Sequence, residues 1–161
     1  MPAIMPYLWF AGEAEDAAKF YVSTFKNSKM GNVSRYTDAG PGPAGSAMTV
    51  EFTLDGQDFI ALNGGDPATA EGQPPIALFA NCDTQDEVDA LWDKLSDGGQ
   101  KLPCGWLVDK FGITWNIVPK GIIELVGSGG EERQKRAMQA MMKMEKLDIN
   151  EMRRALEGVS R

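Results

Sequence analysis

Apolar and polar residues alternate through Met48–Leu54, where the polar positions on one face are Thr49, Glu51 and Thr53. A period of two with one apolar face predicts a half-buried β-strand. The dipeptide Asp55-Gly56 follows, and it is typical of a two-residue type I′ hairpin turn. The pattern therefore predicts a β-hairpin whose apolar face packs against helices.

The second strand of this hairpin resumes at Phe59 and stops at Asn63-Gly64-Gly65. The face of the hairpin turned away from the helices could line a cavity. We place Glu51, Ala61 and Asn63 on that face and expect function there.

The remaining elements form two similar series. The first consists of a strand at Pro6–Phe10, a helix over Glu13–Phe25 and a short strand at Val33–Thr37, followed by the hairpin. The second consists of a strand at Ile76–Asn81, a helix opened by the capping box Thr84–Glu87, and extended segments at 100–102, 105–108 and 113–118. One such unit cannot cover both faces of its sheet, so the repetition predicts paired βαβββ modules and an α+β fold.

Two further amphipathic helices are predicted over 131–146 and from Asp148 to Leu156. These boundaries give one domain over residues 1–126, with modules at about 1–66 and 74–120, and a C-terminal helical extension over 131–161. Loops rich in Gly and Pro are expected at 38–45 and 66–75.

Composition narrows the functional classes. The net charge of −7 argues against nucleic acid and anionic membranes as partners, because both require clustered cations. No apolar run approaches a membrane span, and the N-terminus lacks the pattern of a signal peptide. We therefore expect a cytoplasmic protein whose two cysteines are free thiols. The chain has no histidine, which removes the usual general base and the commonest metal ligand.

Five segments occur in an order that a known family shares: Lys19–Phe25 (KFYVSTF), Met48–Gln57, Leu62–Gly65, Cys104–Trp106 and Asp109–Asn116. Together they resemble the vicinal oxygen chelate superfamily, which includes glyoxalases, bleomycin-resistance proteins and dioxygenases. Within it they resemble the PhnB-like branch, also called 3-demethylubiquinone-9 3-methyltransferase-like.

The resemblance implies two βαβββ modules whose curved sheets form a half-open cup, and it implies a homodimer. In metal-dependent members, four ligands come from the first and last strands of each module. Those positions align with Met5, Ala61, Pro75 and Asn116, none of which is a histidine or a carboxylate. Such groups do not hold Zn²⁺, Ni²⁺ or Fe²⁺, so we expect neither a metal nor another cofactor.

Glu51 is the candidate for acid or base chemistry. Desolvation on the inner face of a strand would raise its pKa toward that of a general base. The more common role for such a residue is a solvated carboxylate or an ion pair, for instance with Arg35.

Six other residues are candidates for ligand binding. Tyr7, Trp9 and Trp106 could form an aromatic wall or simply fill the concavity. Asn63 and Asn116 could orient a polar ligand or satisfy backbone groups at strand ends. Cys104, between Pro103 and Gly105, could contact a ligand, although an inert thiol is the more usual role.

These residues predict a protein that binds a small organic molecule without metal, and Glu51 is its possible catalytic group. The sequence leaves open a non-catalytic sequestering protein of the bleomycin-resistance type, a methyltransferase as the family label suggests, and a structural dimer with a filled cup.

Overall fold

The computed structural model describes residues 3–39, 42–65, 75–127 and 129–157. The predicted loop at 66–75 lies almost entirely outside these ranges. The chain divides into two compact units, Met1–Ala77 and Leu78–Arg161. We call the residues before Ile76 module 1 and those from Ile76 onward module 2, so that each strand belongs to one module. No helix in the described ranges has the length and apolarity needed to cross a membrane.

Module 1 has the predicted βαβββ order. Its elements are β1 (Ile4–Phe10), α1 (Ala14–Thr24), β2 (Lys29–Arg35), β3 (Ala47–Leu54) and β4 (Gln57–Asn63). The strands lie in the order β2-β3-β4-β1, with β1 parallel to β4 and the other pairs antiparallel. The hairpin turn is confirmed, because Asp55 and Gly56 both have the positive φ angles (48° and 80°) that a type I′ turn requires.

The core of module 1 lies between α1 and one face of the sheet. Ala14 and Ala18 of α1 are fully buried against Val50, Phe52 and Ala61. The small helix residues let the helix approach the sheet closely, and larger side chains complete the cluster from the flanks: Leu8, Phe10, Tyr21, Met30, Val33 and Phe59.

The predicted face of Ala61 and Asn63 is wrong. The two-residue turn pairs Leu54 with Gln57, so residues of opposite numerical parity share a face. Glu51 therefore pairs with Ile60, whereas Ala61 pairs with Val50 on the helix side.

The terminal strand β2 is irregular. It begins earlier than the predicted Val33–Thr37 segment, and its pairing with β3 shifts register between Met30 and Val33 and again between Ser34 and Arg35. The first shift inserts one extra residue, so Met30 and Val33 both reach the helix side despite their odd spacing.

Module 2 repeats the arrangement. Its elements are β5 (Ile76–Cys82), α2 (Gln85–Ser96), β6 (Gln100–Lys101), β7 (Trp106–Val108) and β8 (Thr114–Pro119). The strand order is β5-β8-β7-β6, and the first strand is again parallel to the last. The predicted capping residue is confirmed, since Thr84 Oγ1 accepts a hydrogen bond from the Glu87 amide at 3.2 Å. The chain is thus an α+β protein with two βαβββ modules.

Three helices complete module 2: α3 (Lys120–Gly127), α4 (Glu131–Met142) and α5 (Ile149–Ala155). The sequence pattern did not predict α3. The segment 144–149, which we call the strap, follows α4, ends at the first residue of α5 and runs along the loop before β7. The amides of Cys104 and Gly105 donate to the carbonyl oxygens of Met144 and Glu145 at 2.8 and 2.7 Å.

Candidate functional site

The strand register collects several candidate residues on the face of module 1 opposite α1, which we call the second face. It is formed by aromatic, aliphatic, hydroxyl and acidic side chains on three adjacent strands: Tyr7, Trp9, Thr49, Glu51, Ile60 and Leu62. Tyr7 pairs with Ile60, and Trp9 pairs with Leu62. Tyr7 and Trp9 point away from α1, because the alternate residues Leu8 and Phe10 pack on the helix cluster.

Glu51 is half-buried at the middle of this face. Among the described residues its carboxylate meets no hydrogen-bond or ion-pair partner. Arg35, the alternative partner considered above, instead pairs with Glu15 at 3.5 Å. A Cβ added at Gly31 would lie 3.2 Å from Glu51 Cβ, so the glycine keeps the flank of Glu51 free of a side chain.

Trp9 is fixed in one orientation by the glycines that end β4. Its Nε1 donates to the carbonyl oxygen of Gly65 at 3.1 Å. Its six-membered ring lies so close over Gly64 that any side chain there would overlap it. The indole is therefore a pre-organised surface rather than a mobile side chain.

Two tyrosines adjoin this face in the interior. Tyr7 is 7% exposed, and burial together with the neighbouring Tyr36 raises the pKa of its hydroxyl. The Tyr36 hydroxyl donates to the Asn63 carbonyl oxygen, and burial raises its pKa as well. Sequence reasoning missed Tyr36, because only the folded sheet brings it near Tyr7.

Asn63 does not belong to the second face. Its Oδ1 accepts the Ala14 amide at 2.9 Å at the start of α1, and its Nδ2 donates to the Ala47 carbonyl oxygen at 3.0 Å. Both functional groups of this buried amide serve the helix side. Of the two roles that the sequence left open for Asn63, the structure shows the second, in which the side chain satisfies backbone groups.

In module 2, Trp106 and Asn116 pair directly across β7 and β8 and share the face opposite α2. Asn116 is 5% exposed, and its Nδ2 donates to the Cys104 carbonyl oxygen at 3.1 Å. Trp115 and Ile117 lie on the α2 side.

Cys104 has a positive φ angle of 62° and a half-buried side chain. Burial raises the pKa of its thiol, which disfavours the thiolate that a nucleophile needs. The structure therefore gives Cys104 a backbone role: its carbonyl oxygen holds Asn116.

Asn81 is a residue that sequence reasoning missed. It lies in β5 opposite Val118, on the same face as Asn116, and its Oδ1 is buried without a hydrogen-bond partner in the described ranges. Its position within the apolar run Ile76–Asn81 was the available signal, because a polar residue at the end of a buried strand requires a partner.

The residues aligned with the metal ligands do not fit a metal. Ala61 faces α1, and the neighbouring residues on the second face, Ile60 and Leu62, have no donor atoms. Met5 offers a thioether and Asn116 a neutral amide, and neither group is a ligand typical of Zn²⁺, Ni²⁺ or Fe²⁺ sites. Within the described ranges, no three Cys, Asp or Glu side chains come together as a possible metal site.

The buried titratable groups predict a loss of stability at alkaline pH. Burial, with Glu87 and Asp83 nearby, raises the pKa of Cys82 from 9.0 to about 11. Because the folded state holds the thiol proton more tightly than the unfolded state does, the protonated thiol contributes its full stability below the unfolded pKa of 9.0. This contribution is lost as the pH rises from 9 through the folded-state pKa of about 11. We expect urea unfolding to show about 2 kcal/mol less stability at pH 11 than at pH 8.

Cys82→Ala should flatten this pH dependence, and Tyr7→Phe should flatten it further at higher pH. An unfolding free energy that is the same at both pH values would contradict the burial of these groups.

Two βαβββ modules with equivalent strand orders define the glyoxalase-like fold. The family model for 3-demethylubiquinone-9 3-methyltransferase matches residues 2–118. The chain therefore belongs to this family.

The chain is also similar to several solved structures. A protein from Staphylococcus aureus is 29% identical with a TM-score of 0.56, over 73% of this chain and 95% of that one. A PhnB protein from Bacillus cereus is 33% identical with a TM-score of 0.38, over 71% of this chain and 97% of that one. A superfamily member from Vibrio splendidus is 12% identical with a TM-score of 0.42, over 73% and 97% of the two chains. The comparison with curated proteins found no significant match.

Proposed function

We propose that the second face of module 1 binds a small organic molecule without a metal ion, and that Glu51 accepts a hydrogen bond or a proton from it. The observation that carries this proposal is the half-buried Glu51 carboxylate, which meets no partner among the described residues. A carboxylate in this position is available to a ligand, because no arginine or lysine in the described part of the chain forms an ion pair with it.

The neighbours of Glu51 suit a flat ligand with polar substituents. Trp9 offers a fixed aromatic surface, and Leu62 pairs with it on the same face. Ser34 and Thr49 are hydrogen-bonded to each other through their hydroxyls and extend the polar edge of this face. A phenolic or carbonyl compound would contact the ring with its plane and Glu51 with its hydroxyl or acidic C–H group.

A sequestering protein is the second candidate, and the rigid setting of Trp9 favours it. A pre-organised aromatic surface contributes affinity without requiring chemistry. Binding without turnover would assign this role, and it would leave Glu51 as a hydrogen-bond acceptor.

The family description also names a methyltransferase. In the described ranges each module has only one parallel strand pair, unlike the doubly wound sheet of the common S-adenosylmethionine enzymes. We therefore include S-adenosylmethionine among the compounds whose binding is measured.

A thermal-shift screen tests the proposal, because a ligand that binds the folded state raises the melting temperature. The compounds are phenols, aromatic carbonyl compounds, aromatic antibiotics and S-adenosylmethionine. The melting temperature is measured with each compound, using protein with and without chelator treatment. We expect a phenolic or carbonyl compound to bind, and chelation to leave its affinity unchanged.

Glu51→Gln should reduce that affinity or abolish turnover, and Trp9→Ala should weaken binding by about 1–3 kcal/mol. The matched control is Glu13→Gln, an exposed carboxylate at the start of α1. Wild-type affinity and turnover in both Glu51→Gln and Trp9→Ala would contradict the proposal, as would binding that requires added metal.

A further inference from the structure

We propose that the strap, residues 144–149, positions the face of module 2 opposite α2, which carries Trp106 and Asn116, and that Gln85 is the residue that holds the strap in place. The family match ends at residue 118, so the strap comes from a part of the chain outside the family model. The inference does not depend on the proposed function, because that proposal concerns module 1, whereas the strap and Asn116 both belong to module 2.

Gln85 binds the strap backbone at two points. Its Nε2 donates to the Leu147 carbonyl oxygen at 3.0 Å, and its Oε1 accepts the Ile149 amide at 2.9 Å. A side-chain amide that pairs with both a carbonyl and an amide of a passing chain reproduces the pairing of a β-strand. Gln85 is itself oriented by Asp89, whose Oδ1 accepts from Nε2 at 3.1 Å.

An ion pair strengthens the same attachment. Lys146 Nζ lies 2.9 Å from Asp89 Oδ1. The hydrogen bond from Lys146, followed by the one from Gln85, lowers the pKa of Asp89, so the carboxylate stays charged near neutral pH. One carboxylate therefore orients Gln85 and holds the strap directly.

Apolar packing fixes the depth of the strap. Leu147 is 1% exposed, and a Cβ added at Gly105 would lie 2.9 Å from its Cγ. A Cβ added at Gly121 would lie 2.7 Å from Ile149 Cδ1. The strap thus occupies space that two glycines leave open.

The strap transmits its position to Asn116 through two backbone hydrogen bonds. Its carbonyl oxygens accept hydrogen bonds from the amides of Cys104 and Gly105. These bonds hold both residues at positive φ angles, of 62° and 81°. A cysteine rarely adopts this conformation without support. The Cys104 carbonyl oxygen then accepts Asn116 Nδ2, so the Asn116 side chain has one orientation beside Trp106.

Amide hydrogen exchange, followed by NMR, tests this inference without a ligand. In Gln85→Ala we expect protection of the Cys104 and Gly105 amides to fall about ten-fold or more, and the Asn116 side-chain amide signals to shift. The rate at which Cys104 reacts with an aromatic disulfide reagent should rise by a similar factor, with Cys104→Ser identifying its signal.

The matched control is Gln134→Ala, which removes a glutamine whose side-chain amide donates to the nearby Gly129 carbonyl oxygen at 3.3 Å and, within the described ranges, makes no hydrogen bond to the strap. It should leave all three readouts unchanged. If Gln85→Ala does not fold, Lys146→Ala tests the same attachment through the ion pair.

The inference would be overturned if folded Gln85→Ala kept amide protection and thiol reactivity within about two-fold of wild type and left the Asn116 signals unchanged. Reduced protection of the Cys104 and Gly105 amides, with unchanged Asn116 side-chain signals, would overturn the role of the strap in positioning Asn116. Because these readouts need no ligand, a failure of the thermal-shift screen leaves them decisive.

Discussion

Gly105→Ala is expected to destabilise the protein by about 4 kcal/mol, the largest effect of a single methyl group that we anticipate. Gly105 has a φ angle of 81°, which alanine adopts only with strain. The added Cβ would also lie 2.8 Å from the Ile117 carbonyl oxygen and 2.9 Å from Leu147 Cδ1. The backbone oxygen cannot move without breaking β8, so the strain cannot relax by a side-chain rotation alone.

Urea unfolding measures this loss, and Gly112→Ala is its control. Gly112 has a similar φ angle of 87°, but a Cβ there meets nothing within 4 Å. The control therefore reports the cost of the dihedral angle alone, about 1 kcal/mol. Equal losses in the two variants would show that the strap does not press against Gly105.

Asn63→Ala is expected to cost about 3 kcal/mol, because it removes two buried hydrogen bonds at once. The amide of Ala14 would lose its acceptor at the start of α1, and the carbonyl oxygen of Ala47 would lose its donor. Both alanines are buried, at 0% and 7% exposure, so water does not readily replace the lost partner.

Asn63→Asp separates the two contributions. The carboxylate keeps an acceptor for the Ala14 amide at the helix N-terminus, where a negative charge is favourable, but it cannot donate to Ala47. Its unfolding free energy should lie between those of wild type and Asn63→Ala. A loss below about 1 kcal/mol in Asn63→Ala would contradict the buried cap.

Local patterns predicted most of the fold. The alternation in β3, the Asp55-Gly56 turn and the Thr84 cap each depend on residues close in sequence, and each is confirmed. The repeated element order also predicted the paired modules, since every strand and helix of both modules occurs in the expected order.

The error at Ala61 and Asn63 could have been avoided from the sequence. A two-residue turn fixes the pairing Leu54 with Gln57, and counting back from it places Ile60, not Ala61, beside Glu51. A register shift of one residue moves every side chain of a strand to the opposite face. The error therefore placed Asn63, a buried cap of α1, on the predicted binding face.

Other features depend on contacts between distant residues. Asn63 caps a helix 49 positions earlier, and Gln85 holds a segment more than 60 positions later. No local pattern encodes such partners. Likewise, only the structure shows that Arg35 pairs with Glu15 and leaves Glu51 without a partner in the described ranges.

The two register shifts in β2 have a consequence for association. β2 is the last strand on its side of module 1, with exposed cationic residues, Lys29 and Arg35, at its two ends. A strand from a neighbouring molecule would need a straight row of backbone donors and acceptors, which the shifts interrupt. The irregular border thus protects the protein from edge-to-edge aggregation, and a deletion that straightened it would favour insoluble sheets.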